Sequence, residues 1–194
     1  MNWLRPPGPV AKGLRIGLLG GSFNPAHEGH LYVSEIALKR LGLDYVWWLV
    51  APQNPLKAVA DMAPLKTRLA ASRALAGRHP RVIVSDVERV LGTCYTIDTL
   101  KALCRRFPDQ RFIWLMGSDN LKQFHRWRRW KEIAALMPIA VILRPGSVLA
   151  PLHAKAMQRF ARRRNFRKLP AIVPVDGRRN EASATAIRAK DVRK

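Results

Sequence analysis

Two histidines three residues apart stand out in the run Gly20-Gly21-Ser22-Phe23-Asn24-Pro25-Ala26-His27-Glu28-Gly29-His30. An apolar stretch ends at the glycines, and a helical pattern begins after them. His27 and His30 therefore fall on one face of a first helical turn. Glycines at a strand end let the backbone turn tightly and come close to a ligand. The helix N-terminus behind them offers unpaired N–H groups and the positive end of a dipole, a natural place for phosphate. Two imidazoles there can donate hydrogen bonds to phosphate oxygens and stabilise charge developing at phosphorus. The run is neither GxxxxGK[ST] nor GxGxxG, so it is not a P-loop or a dinucleotide fingerprint. A zinc site needs a third ligand at suitable spacing, and none is evident.

A second candidate is Ser183-Ala184-Thr185-Ala186-Ile187-Arg188. Small hydroxyl residues cap a short helix and leave amides for an anion, and Arg188 adds a planar fork suited to phosphate oxygens. A capped surface helix would look the same when considered alone. Between these ends lie weaker features. Lys57 follows Pro52-Gln53-Asn54-Pro55-Leu56 in a loop after an apolar run, and Arg68 lies in a helical stretch, as apt to decorate the surface as to meet phosphate. Tyr95-Thr96-Ile97-Asp98-Thr99-Leu100 opens a helix with Thr96 as its expected cap, and Gly117-Ser118-Asp119 closes another apolar run.

The elements that must carry these residues alternate along the chain. Leu14–Gly20, Tyr45–Ala51, Arg81–Asp86, Arg111–Gly117, Ile139–Arg144 and Ala171–Val175 read as strands. They are continuous apolar runs, as expected of strands buried on both faces. Glu28–Leu41, Pro64–Arg78, Thr96–Phe107, Ser118–Leu136 (in one or two pieces), a basic Leu152–Phe166 and a short Ser183–Lys190 read as helices. The alternation predicts an α/β fold, Rossmann-like and doubly wound, with a mainly parallel sheet and helices on both faces. Such sheets bind ligands at the carboxyl ends of their strands, where the two-histidine run falls. Residues 1–13, with three prolines and two glycines, read as a flexible leader, and residues 14–194 as a single domain.

Of the 194 residues, 35 are Lys or Arg and 13 are Asp or Glu, a formal charge of +22, while 48% are hydrophobic. That composition excludes a disordered or low-complexity chain. No apolar run reaches the roughly 20 residues of a membrane span, and the first residues lack a secretory apolar stretch. Cys94 and Cys104 make no disulfide framework. A cytoplasmic protein without membrane partners is the expectation. The charge attracts anions, whether nucleotides or nucleic acid. Arg159–Lys168 and Lys122–Lys131 mix basic residues with aromatics, so nonspecific nucleic-acid binding is a rival reading, as is an ordinary solvated basic face.

GGSFNPAHEGH resembles the HxGH signature of the nucleotidylyltransferase superfamily, and most closely its bacterial nicotinate-nucleotide adenylyltransferase branch. In phosphopantetheine adenylyltransferases the first histidine position is usually threonine. The resemblance runs from about Arg15 to Ala189. It implies adenylyl transfer from ATP to nicotinate mononucleotide, giving deamido-NAD and pyrophosphate, with Mg²⁺ carried mainly by the ATP phosphates and no metal ligands from the protein. His27 and His30 take the catalytic positions. Gly20, Gly21, Ser22, Phe23, Lys57, Gly117, Asp119, Ser183, Thr185 and Arg188 take ATP or phosphate positions. SATAIR differs from the family's ISSTxIR by Ala182 and Ala184, which removes hydroxyls from the phosphate grip. Asn54, Tyr95, Thr96, Trp127 and Arg128 take nicotinate-nucleotide positions, with Arg128 standing where the family has tyrosine. Arg144 matches a basic position after the fifth strand. Nicotinamide mononucleotide and phosphopantetheine remain alternative acceptors for the same chemistry, and oligomeric state is left open.

Overall fold

The computed structural model describes residues 5–53, 62–143, 154–160, 166 and 168–177. Six parallel strands form one sheet in the order β3-β2-β1-β4-β5-β6. They are β1 (Arg15–Gly21), β2 (Tyr45–Val50), β3 (Val82–Ser85), β4 (Arg111–Gly117), β5 (Ile139–Leu143) and β6 (Ile172–Asp176). Each strand lies within a residue or two of its expected apolar run.

Side chains alternate across this sheet into two cores. Ile16, Leu18, Trp47, Leu49, Trp114, Met116, Ile139 and Val141 face one way. They pack against α4 (Thr96–Arg106), α5 (Ser118–Phe124), α6 (Trp130–Leu136) and α7 (Lys155–Arg159). Leu19, Val46, Trp48, Val50, Ile113, Leu115 and Ile142 face the other way, against α1 (Glu28–Arg40) and α2 (Leu65–Ala76). Burial on both faces is why the strands read as unbroken apolar runs.

A five-residue helix, α3 (Val87–Leu91), has no counterpart in the sequence reading, being too short to show a 3.6-residue period. Ser118–Leu136, expected to be helical in one or two pieces, is two helices. Arg129 adopts φ 53° at the start of α6, and its guanidinium holds Glu132 through bonds of 2.6 and 2.7 Å. Of the expected Leu152–Phe166 helix, Lys155–Arg159 is helical among the described residues. The sequence reads residues 1–13 as a flexible leader, yet part of it lies against the protein. The Gly13 amide donates to the Asp109 carbonyl, Gln110 Nε2 donates to the Ala11 carbonyl, and Gly8 abuts Ile83 and Trp47. Two large apolar side chains there offer a surface that a proline- and glycine-rich strand of chain can cover. Among the described residues no helix is long and apolar enough to cross a membrane.

Candidate active site

Strand β1 has β2 on one side and β4 on the other, so the chain's order reverses between β1 and β4. A crevice opens at the carboxyl ends of parallel strands at such a point. A cavity of about 650 Å³ lies here, bordered by the loop after β1, the start of α1, the ends of β2 and β4, the segment before α4, and α5 with the turn after it.

The loop after β1 is built by stacking. Phe23 is 1% exposed and adopts φ 47°, a left-handed conformation unusual for a bulky residue. Its ring stacks on His30 at 4.5 Å and on Trp48 at 5.1 Å, contacts that offset the backbone strain. Beneath it, Trp48 Nε1 donates to Ser34 Oγ at 2.8 Å, and Ser34 Oγ donates to the His30 carbonyl at 2.9 Å. Gly20 is required because a Cβ there would overlap the buried Trp114 ring.

The two histidines form a capping box at the start of α1. His27 Nδ1 accepts from the Gly29 amide at 3.1 Å, and His30 Nδ1 accepts from the His27 amide at 3.2 Å. His30 Nδ1 also lies 3.3 Å from the His27 carbonyl, so its role there depends on the tautomer; the tautomer that accepts both amide bonds carries its proton on Nε2 in each ring. The rings lie 4.0 Å apart between centroids, and both border the cavity. Capping thus orients two Nε2–H donors side by side, so the helix-capping and ligand-facing readings of these histidines are compatible.

Arg68 meets neither expectation placed on it, phosphate contact or surface decoration. It is 3% exposed, and its guanidinium is engaged by four backbone carbonyls. Nε donates to Ala63 at 2.8 Å, Nη1 to Ser22 and Ala51 at 2.7 Å each, and Nη2 to Pro52 at 2.9 Å. Burial lowers its pKa from the ordinary arginine value. The fork ties the loop after β1 to the segment after β2.

Across the cavity, α4 begins after Tyr95, and Thr96 is its first residue rather than its cap. No side chain caps this end, so its first amides remain available to an anion. The Arg128 guanidinium stacks over the Tyr95 ring at 4.4 Å. Trp127 is half-buried, edge-on to Trp114 at 6.0 Å and to Phe124 at 5.4 Å. Trp130 packs edge-on between Phe124 and Phe160, which makes it part of the core rather than a stacking surface.

Of the sequence candidates, Gly20, Gly21, Ser22, Phe23, His27, His30, Tyr95, Thr96, Gly117, Asp119, Trp127 and Arg128 border this single cavity. Asn54, Lys57, Arg144, Ser183, Thr185 and Arg188 lie outside the described residues. Glu88, Gln53, Asn120, Gln123 and Arg126 also border the cavity and were not anticipated. Glu88 is the most consequential of these. It is 7% exposed, and burial pushes its carboxyl up to about 7 against the opposing hydrogen bond from Thr99. The acidic residue in Ser85-Asp86-Val87-Glu88 was visible in the sequence, but nothing there marks it as buried.

The fold and cavity define a nucleotide-handling α/β protein, and the cytidylyltransferase-like family model matches residues 18–190. The relative in Parvibaculum lavamentivorans named "probable nicotinate-nucleotide adenylyltransferase" is 50% identical over 190 residues, covering 93% of this chain and 94% of that one. A relative of the same name in Methylorubrum extorquens strain PA1 is 51% identical over 186 residues, covering 91% and 100%. Among solved structures, the Plasmodium falciparum nicotinic acid mononucleotide adenylyltransferase complexed with NaAD aligns with TM-score 0.67 over 86% of this chain and 76% of that one. At 17% identity, that likeness concerns the fold. This chain belongs to the nicotinate-nucleotide adenylyltransferase family.

Proposed function

We propose that the protein transfers the adenylyl group of ATP to nicotinate mononucleotide, releasing pyrophosphate and forming deamido-NAD. The observation that carries this reading is one cavity with two anion-suited ends: the paired His27 and His30 donors at the β1 end, and the uncapped start of α4 opposite. The relatives at half identity carry a name for the same reaction.

The 5′-phosphate oxygen of the acceptor forms the new bond to the α-phosphorus of ATP. The bond from that phosphorus to the bridging oxygen breaks, and its electrons leave with pyrophosphate. No covalent intermediate on the enzyme is required. His27 and His30 Nε2–H groups neutralise the charge that builds on the α-phosphate oxygens, with His30 the principal donor. Bringing two anions together is unfavourable in water, and preorganised donors with a surplus of positive charge offset that repulsion.

Ser183, Thr185 and Arg188 hold the leaving pyrophosphate, with Lys57 near the phosphates and Asp119 beside the adenosine ribose. Tyr95 and Thr96 present backbone amides to the nicotinate carboxylate, Trp127 and Arg128 flank the pyridine ring, and Asn54 contributes from the loop after β2. Among the described residues no group of three His, Cys, Asp or Glu side chains could hold a metal. Mg²⁺ would arrive on the triphosphate as part of the substrate. Magnesium then neutralises phosphate charge, and the protein supplies position. Nucleotide substrates of this kind make the reading a cytoplasmic one.

The test is pyrophosphate release with MgATP and, separately, nicotinate mononucleotide, nicotinamide mononucleotide and phosphopantetheine, with His30→Ala as control. Turnover concentrated on the nicotinate compound and lost in the variant is expected. Turnover on another acceptor keeps the chemistry and overturns the assignment of the acceptor end. No turnover from folded protein, with salt-steep oligonucleotide binding instead, would favour the nucleic-acid reading.

A further inference from the structure

Glu88 takes no part in the mechanism above, yet it stands in the wall of the cavity. It borders that space beside Cys94, Tyr95 and Thr96. One carboxyl oxygen, Oε1, accepts from Thr99 Oγ1 at 3.3 Å, and the other has no hydrogen-bond partner among the described residues. Thr99 lies in the first turn of α4, so this buried acid adjoins the amides that no side chain caps. The Thr99 hydroxyl also lies 2.7 Å from Thr93 Oγ1 and 3.4 Å from the Tyr95 carbonyl. It can give its proton to the Glu88 carboxylate. When the carboxyl is protonated, the hydroxyl can turn to the carbonyl instead and accept from Glu88 until a ligand in the cavity takes that proton. Both forms of the acid therefore have a hydrogen-bonding arrangement ready.

A carboxylate brought to the start of α4 would meet this acid as a like charge in a dry wall. A carboxamide would meet it as a hydrogen-bond acceptor. We propose that Glu88 sets a proton-linked preference at the acceptor end: protonated, it admits and donates to a nicotinate carboxylate; ionised, it repels that group and accepts from a carboxamide N–H. The inference rests on the reading that the pyridine end of the acceptor lies at the first turn of α4.

The neighbouring charges leave this role to Glu88. On its own helix Arg89 pairs with Asp86 at the N-cap. On α4 Lys101 pairs with Glu132, and Asp98 acts on Arg129. Strand β2, packed against α3, carries only Tyr45 as a titratable group. The segment before α4 carries Cys94 and Tyr95, the latter beneath Arg128. His27, His30, Asp119 and Arg126 border the cavity elsewhere. Burial and the Thr99 hydroxyl account for the position of the Glu88 carboxyl, which titrates at about 7.

The experiment compares the equilibrium dissociation constants of nicotinate mononucleotide and nicotinamide mononucleotide, from about pH 6 to about pH 8.5, in wild type and Glu88→Gln. Contacts to the 5′-phosphate that the two nucleotides share act on both alike and drop out of the ratio. In wild type the preference for the acid should fall above pH 7, approaching tenfold per pH unit and about 30-fold by pH 8.5. In Glu88→Gln the ratio should be flat. A flat wild-type ratio, or the same slope in the variant, overturns the proposal.

A second measurement needs no variant. Calorimetric titration near pH 8 in buffers of unlike ionisation enthalpy should show more proton uptake with the acid nucleotide than with the amide. Equal uptake overturns the proposal even if Glu88→Gln fails to fold. Turnover with a flat ratio removes only this inference, whereas no turnover on nicotinate mononucleotide removes the substrate reading and this inference together.

Discussion

Arg68→Met keeps the aliphatic stem of the residue and deletes the group that joins two segments of the cavity wall. Four carbonyls, those of Ser22, Ala51, Pro52 and Ala63, lose donors at 2.7 to 2.9 Å. A hydrogen bond to a charged group contributes about 1.5–3 kcal/mol net, which would suggest roughly 6–12 kcal/mol for four. That sum is an upper bound. The guanidinium no longer has to be desolvated, and all four carbonyl residues are only half-buried, so water reaches the acceptors once the fork is gone. A loss of about 3 kcal/mol is the reasoned figure, comparable to removing one partner of a buried charged pair. For a protein of this size it lowers Tm by roughly 6–12 °C.

The same change frees the loop that carries Phe23 and the histidines. A displacement near 1 Å costs a position-dependent reaction about 10²-fold, so kcat should fall by that order. Thermal unfolding by circular dichroism gives the first quantity. Pyrophosphate release, measured well below the variant's own Tm, gives the second. Arg68→Lys retains a charge but cannot reach four acceptors in one plane, and should recover only part of either loss. A Tm within about 2 °C of wild type and kcat within about threefold, in Arg68→Met, would refute the clamp.

Three further outcomes are expected. His30→Ala should lower kcat by about 10²–10³, as for loss of an oxyanion-type donor; a loss under about threefold with the fold intact would remove His30 from the chemistry. Gly20→Ala drives a methyl into the rigid, buried Trp114 ring and should cost about 1–3 kcal/mol, read by thermal unfolding; an unchanged Tm would mean that the ring yields freely. Glu88 binds its proton more tightly folded, at about 7, than its ordinary value of 4.5, so the stability it contributes is present below 4.5 and is lost as pH rises through about 7. The loss amounts to about 3 kcal/mol, so the Tm advantage of Glu88→Gln over wild type should grow from about pH 5 to about pH 8; a constant difference would contradict it.

Much of the fold was legible because a parallel sheet covered on both faces leaves a simple trace, an apolar run with turn residues behind it. Arg111–Gly117 was read to the residue, and the sequence placed Gly20-Gly21 at a strand end and His27 and His30 on one helical face. The break between α5 and α6 needed one backbone conformation, φ 53° at Arg129, for which arginine carries no local signal. The cap of α4 shifted by one residue, because Thr96 and Tyr95 compete for a boundary that hydrogen bonding decides.

Local chemistry in the chain thus determined the phosphate-suited loop, the order of elements and the two-histidine pair. Periodicity, glycine placement and capping propensity are short-range properties. Tertiary structure alone decided the fates of Arg68 and Glu88. In sequence each is an ordinary charged residue, Arg68 on a helical stretch and Glu88 just after an apolar run. One becomes a buried fork for four carbonyls contributed by three separate segments. The other becomes a protonatable wall of the cavity. Burial depends on which distant segments close over a side chain, and no window along the chain contains them.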